Sequence, residues 1–525
     1  MKEKTIMINN RAIPIGLLFF LSLWMHVPVR GQDVPQEGLD SITPEEMKAH
    51  VYYLASDAMK GRNTPSPELD TCASFIARQF ASYGLEPPSP EQSYFQPFYV
   101  LRARLAEANS LELKTPEEDK VYEIKNDFVP LHLTANRKVS APVVFAGYGI
   151  TAPEYDYDDY SRIDAKGKIV LVFTGEPQQD DSTSQFEGLK RTEHSNIRVK
   201  IENAVDHGAV GLLLISDPHR RFRRPPNPWP SLMRRAPEDA VPLTIDEKPD
   251  KKIVCIRLGR VPAQDLMAGS GHSLQELFDK INGNLESQSF DIQSKSVTME
   301  TSLEAERFPT KNVMGYWEGS DPELKDELVI IGAHYDHVGV QNDSVYNGAD
   351  DNASGTAGVL EIAQAFAQCQ IRPKRSILFI TFTGEEKGLF GSRYYSQNPL
   401  YPVENTVAML NMDMISRNDT NEVAIIGTPT SPDLKEIGET ANKRIGLILA
   451  YDQERYFLQS DHYPFYRKDI PVLCYNSKDT PDLHRPTDDP EKSIPEKMAR
   501  IGKLVFATAW MIADRYERPN FVRVR

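Results

Sequence analysis

Beyond residue 305 the sequence repeats one pattern, a continuous apolar run followed by a stretch with helical spacing and then another apolar run. The runs fall at 328–333, 376–383, 406–412, 423–427 and 470–475, and the helical stretches at 355–367, 432–445 and 495–516. A strand that is apolar at every position, not every second one, is built to be covered on both faces. Alternation with helices then predicts an α/β fold whose mixed, mostly parallel sheet is sandwiched by helices.

Upstream, Thr43-Pro44-Glu45-Glu46 is a capping box with proline at the first helical position, and Met47, Val51, Leu54 and Ala58 follow at helical spacing. A second helix carries Leu69, Cys72, Ile76, Phe80 and Tyr83 on one face and stops at Gly84. Between about 125 and 300 the texture changes to short β-rich runs at 141–145, 168–173, 210–215, 241–245 and 252–258, with a helix near 198–207. The expected division is a leader over 1–31, a first part of the main domain over 40–125, an inserted small β-rich unit over 126–300, and the rest of the main domain over 305–515. The acidic run 154–159 lacks the alternating ligands and glycine of a calcium loop and reads as a solvated face. Arg220, Arg221, Arg223, Arg224, Arg234 and Arg235 crowd a proline-rich segment with Trp229, which reads as an exposed loop.

The first 31 residues have the order of an export signal. Lys2, Lys4 and Arg11 precede an apolar run over 12–25, short for a bilayer span but suited to a signal-peptide core, and Val29-Arg30-Gly31 could end it. No later stretch offers the roughly 18 consecutive apolar residues of a membrane span, so a protein outside the cytoplasm, periplasmic or extracellular, is expected. Lys+Arg total 60 against 75 Asp+Glu, a net charge of −15, which disfavours nucleic acid as a partner. Cys72, Cys255, Cys369 and Cys474 are too scattered for a metal knuckle and too few for a disulfide scaffold; they read as small buried hydrophobes, with one or two bridges compatible with export.

Ligands of open α/β sheets sit beyond the carboxyl ends of the strands, and here those ends are rich in carboxylates and imidazoles. The first run leads into His334-Tyr335-Asp336-His337, the second into Gly384-Glu385-Glu386, the third into Asp413, and the last, through a short loop, into His484. An acidic loop, Asn347 to Gly355, feeds the helix between the first two runs. Acidic groups gathered at one sheet edge would repel one another unless a cation neutralised them. A set of carboxylates and imidazoles without thiolates suits zinc, with cobalt or manganese as substitutes. Five donors, His334, Asp351, Glu386, Asp413 and His484, exceed what one ion takes, whereas two ions could share a carboxylate and a water. Asp351 is the natural bridge. Asp336 can accept the second ring N–H of His334. Of the adjacent glutamates, which point differently, Glu386 can ligate while Glu385 acts as general base on the water.

At these residues the sequence resembles the M28 family of co-catalytic zinc exopeptidases, in Gly332-Ala333-His334-Tyr335-Asp336-His337, Gly348-Ala349-Asp350-Asp351-Asn352-Ala353-Ser354-Gly355, Thr383-Gly384-Glu385-Glu386, Asn411-Met412-Asp413 and the late His484. The insert resembles a protease-associated domain in Phe145-Ala146-Gly147-Tyr148-Gly149-Ile150, in 166–172 and in 209–215. The resemblance implies that His334, Asp351 and Asp413 hold one zinc and Asp351, Glu386 and His484 the other, with Glu385 the base. It is the family pattern that selects Asp351 over Asp350. It further implies a cis peptide at Asp351-Asn352 and a tyrosine that steadies the oxyanion. Some members place that tyrosine directly before the last histidine, where this chain has Leu483, so Tyr456 is the substitute candidate. His462 reads as structural. The implied activity is that of an aminopeptidase acting on peptides. Carboxypeptidase or dipeptidase action on the same fold is the enzymatic alternative, and a catalytically silent receptor-like binding protein is the alternative of another class.

Overall fold

The computed structural model describes residues 34–88, 93–181, 183–218, 243–246 and 253–523. The expected leader and the arginine-rich segment therefore lie outside the described residues. Among those described, no helix is long and apolar enough to cross a membrane.

A nine-stranded mixed sheet forms the main domain. Its centre is parallel, with Leu328–His334 between Ser376–Phe382 and Thr406–Met412, and Val472–Asn476 beyond. Antiparallel strands extend it on both sides: Leu303–Trp317 and Phe95–Leu105 on one, Glu422–Ile426 on the other. The unbroken apolar runs are explained by their two coats. Val329, Ile331 and Ala333 pack with the helices Pro44–Leu54, Pro67–Ser82, Gly355–Gln368 and Pro495–Asp514 through Met47, Phe80, Phe366 and Trp510. Leu328 and Ile330 point the other way, to Tyr395, Phe465 and Tyr466. Half of the expected capping box forms: Thr43 accepts the N–H of Glu46 at 3.3 Å, while its own N–H goes to Glu361 at 3.4 Å rather than to Glu46.

The insert is a second sheet of eight strands, parallel over Arg137–Phe145, Ile169–Phe173, Gly211–Ile215 and Val254–Leu258. It also recruits Ser110–Lys114 and Asp119–Tyr122, which the sequence-based division places in the main domain. The two sheets are joined by paired strands: Phe95–Leu105 runs antiparallel to Leu303–Trp317 from Phe95↔Val313 to Leu105↔Leu303.

Two expectations change. Thr244–Ile245, read with the β-runs of the insert, instead pairs with Val100 and Leu101 at the edge of the main sheet. Asp159 is not solvated but buried, where it accepts the N–H of Tyr148 and Ile150 and the hydroxyl of Tyr157. These three donors compensate a carboxylate taken from water, although burial still raises its pKa to about 7. The four cysteines are free and buried, in line with their reading as small buried hydrophobes.

Candidate metal centre

Parallel pairing brings the three central strand ends to one edge. His334 lies level with Phe382, and Gly332 with Asn411, so His334, the Glu385–Glu386 turn and Asp413 emerge side by side. Met412 pairs with Tyr475, which delivers the loop that carries His484 to the same edge. Gly348 turns the acidic loop into the helix with a φ of 57°, and the Asp351–Asn352 peptide is cis.

The donors gather around the two oxygens of Asp351. Its Oδ1 is 3.4 Å from Nε2 of His334, which is also 3.4 Å from Oδ1 of Asp413. Its Oδ2 is 3.1 Å from Nε2 of His484, which is 3.0 Å from Oε2 of Glu386. Bonds near 2.0 Å to a tetrahedral zinc put neighbouring donors about 3.3 Å apart, longer than a charge-assisted hydrogen bond of about 2.7–2.9 Å. The donor chemistry and spacing thus fit zinc, and Oε1 of Glu386 is buried without a hydrogen-bond partner.

Electrostatics agree with a site that needs cations. Burial opposes charge on His484, but Asp351 and Glu386 outweigh it and raise its pKa to about 10. Burial likewise opposes charge on His334, and Glu385, Asp351 and Asp413 outweigh it, holding the ring well above the usual histidine range. Burial and Asp351 push Glu386 up, yet His337 and His484 bring it down to about 2. Glu385 is pushed well above the carboxylate range, by burial first and by Asp413, Glu386 and Asp461 against the pull of His334.

Neighbouring side chains hold the donors in place. Asp350 turns away from the donors, its Oδ1 accepting both the N–H and the hydroxyl of Ser416 at 2.8 Å. Asp488 accepts the N–H groups of Asp350 and Asp351 at 3.1 Å and is gripped by Arg417. Ser460 donates to Oδ2 of Asp413 at 2.6 Å. Arg62, wholly buried, spends its guanidinium on four main-chain carbonyls, those of Leu54, Tyr335, Asn347 and Gly348, and so ties the end of the first strand to the acidic loop.

The expected partner of His334 is corrected. Its Nδ1 meets the main-chain carbonyl of Asp336 at 3.1 Å, while the Asp336 carboxylate stands 3.8 Å away. That carboxylate instead accepts the N–H of Glu385 at 3.0 Å; the chain turns so sharply after the strand that the carbonyl reaches the ring first. Tyr456 lies outside the donor group, its hydroxyl donating to Asp479. His462 is buried, and burial lowers it to about 4, so it is neutral at ordinary pH. Sequence reasoning missed His337, whose Nδ1 is 2.8 Å from Oε1 of Glu386; its place three residues after His334 was the available signal. Arg62 and Asp488 left none, since both act on main-chain atoms.

Parts of this chain match known proteins. Residues 312–509 match peptidase family M28 and residues 139–258 match the PA domain. A probable leucine aminopeptidase of Trichophyton verrucosum is 30% identical over 201 residues, 37% of this chain and 56% of that protein. Leupeptin-inactivating enzyme 1 of Streptomyces exfoliatus is 29% identical over 200 residues, 37% and 40% respectively. The chain thus spans about half the length of these relatives. An aminopeptidase from Aneurinibacillus sp. strain AM-1 shares the fold, with a TM-score of 0.55 at 20% identity over 93% of this chain and 98% of that one.

Proposed function

We propose that the protein, whose residues 312–509 match peptidase family M28 and residues 139–258 the PA domain, is an exported two-zinc aminopeptidase that removes N-terminal residues from peptides. One observation carries the reading. The carboxylate of Asp351 faces two donor sets at once, Oδ1 toward His334 and Asp413 and Oδ2 toward Glu386 and His484. In this reading His334, Asp351 and Asp413 hold one ion and Asp351, Glu386 and His484 the other, with cobalt or manganese as substitutes. The names of the fungal relatives support action at the amino end.

Bound zinc supplies an acidified water and a Lewis acid for the substrate carbonyl. The protein's own residues do the rest. Glu385, next in the chain to the proposed ligand Glu386, takes a proton from the attacking water and returns it to the leaving amine. Asp336 fixes the main chain of Glu385 through its N–H, and Ser460 and Asn476 hold Asp413. A role for Tyr456 at the oxyanion requires its hydroxyl to leave Asp479. Export is supported by the charged and apolar order of residues 2–31.

The test is chelation and zinc restoration on a free-amine dipeptide and its acetylated form. Activity that returns with zinc on the free amine only is expected. Equal cleavage of the acetylated peptide would move the assignment to the carboxypeptidase or dipeptidase alternative.

A further inference from the structure

His337 is wholly buried. Its Nδ1 lies 2.8 Å from Oε1 of Glu386 and 3.7 Å from Oδ2 of Asp351, and its ring meets that of His484 edge-on with centroids 5.6 Å apart. An imidazole nitrogen 2.8 Å from a carboxylate is ordinarily a hydrogen bond. Here the two atoms stand as a close buried pair, but neither meets any partner with hydrogen-bond geometry. The far ring nitrogen, Nε2, also meets no partner, so no hydrogen bond explains why the ring is buried at this place.

His337 Nδ1, Asp351, Glu386 and His484 offer donor atoms that all lie within 4.8 Å of one another, and a bound cation would open the 2.8 Å pair to the roughly 3.3 Å of neighbouring zinc donors. The backbone makes room for this. The N–H of His337 is held by the carbonyl of Arg62 at 3.2 Å, and a Cβ at position 348 would stand 2.5 Å from the ring, so the glycine there clears its place.

We infer that His337 ligates through Nδ1, as a fourth protein donor beside Asp351, Glu386 and His484. The inference rests on the two-metal reading above and adds an asymmetry to it. The His484 side then has four protein donors, the His334 side three. Four protein donors close a tetrahedral zinc, whereas three leave a position for water or substrate. The His484 side is accordingly the tight, closed site, and the His334 and Asp413 side keeps the open position.

The test titrates metal-stripped full-length protein with Zn²⁺ against a chromophoric chelator. The wild type should take one ion tightly and a second at least about tenfold more weakly. In His337→Phe, which fills the ring's space without a donor, the tight step should weaken by more than about a hundredfold, beyond the loss of an outer hydrogen bond to a ligand, and the visible spectrum of the Co²⁺ form should change. Both steps and the cobalt spectrum unchanged would overturn the assignment of His337, whereas a wild type that takes up no pair of ions would sink the two-metal reading itself. X-ray absorption at the zinc edge of the unmodified protein decides the matter even if the variant fails to fold. Three imidazoles shared by the two ions are expected, and two would overturn the inference.

Discussion

Asp488 stands directly behind Asp351, its Oδ2 accepting the main-chain N–H of that residue at 3.1 Å while Arg417 grips its Oδ1 at the same distance. The pair couples the last loop, which bears His484, to the acidic loop that bears the shared carboxylate. Asp488→Ala would leave the N–H groups of Asp350 and Asp351 buried without an acceptor, a cost of roughly 2–5 kcal/mol for the two. We expect a lower unfolding midpoint in denaturant and a zinc affinity reduced by about 10–100-fold. Unchanged zinc affinity would show that the loop keeps its shape without this anchor.

Glu385 and Asp336 divide the proton work and its positioning. Glu385→Gln removes the base but not a proposed ligand, so kcat should fall by about 10²–10⁴ with zinc content unchanged. Asp336→Ala frees the N–H of Glu385 and should lower kcat less. Metal analysis beside steady-state kinetics checks both, and a Glu385→Gln enzyme with wild-type kcat would remove Glu385 from the mechanism.

Proton uptake gives a third prediction. In the metal-free protein His484 titrates near 10, raised from 6.5, so its contribution to stability is complete below pH 6.5 and is lost as pH rises through 10. Glu386, lowered from 4.5 to about 2, contributes fully above 4.5 and loses that contribution as pH falls through 2. The metal-free protein should therefore melt highest between about pH 4.5 and 6.5 and progressively lower toward pH 10. Zinc requires its ligating imidazoles neutral, and of these His484 and His334 are held protonated. Loading the pair of ions at pH 7 should release about two protons, read by calorimetry in buffers of different ionisation enthalpy. Zero proton release would show that these rings are already neutral without metal.

The layered α/β core and most site residues were legible because both leave repeating marks. Strands such as Leu328–His334 are apolar throughout since Val329 and Leu328 face different coats, and the three central ones lead into His334, the Glu385–Glu386 turn and Asp413. The remainder was hidden for a physical reason: it runs through main-chain atoms. Arg62 binds four carbonyls and Asp488 two N–H groups, and such partners carry no side-chain spacing to read. Asp159 was misjudged because the neighbours of an acidic run suggest water, while its three donors come from the turn of Tyr148 to Ile150 and from Tyr157. Thr244–Ile245 resembled its neighbours in sequence, but its pairing with Val100 spans too long a separation for local pattern to show.

The cysteines offer a fourth prediction. Burial pushes Cys72 up to about 11 and Cys369 up to about 12, and raises Cys255 and Cys474 as well. Thiolate is the reactive form, so a thiol reagent should find none of the four in the native protein at pH 8 and all four after unfolding. Fewer than four after unfolding would reveal a bridge.

The last prediction concerns the insert. Its segment at 187–190 docks on the main domain: the carbonyl of Leu189 accepts the Tyr463 hydroxyl at 2.8 Å, the carbonyl of Lys190 accepts Arg467 at 3.0 Å, and Lys190 pairs with Asp469 at 2.6 Å. Tyr463 lies three residues beyond Ser460, which holds Asp413. If the insert walls the cleft through this contact, it would admit a chain end more readily than the middle of a chain. Replacing residues 187–190 with a Gly-Ser linker should therefore raise the rate on long peptides relative to dipeptides and let cleavage begin at internal bonds, followed by mass spectrometry of the products. Products confined to single residues from the amino end, at an unchanged ratio of long to short substrates, would show that restriction to chain ends arises within the main domain.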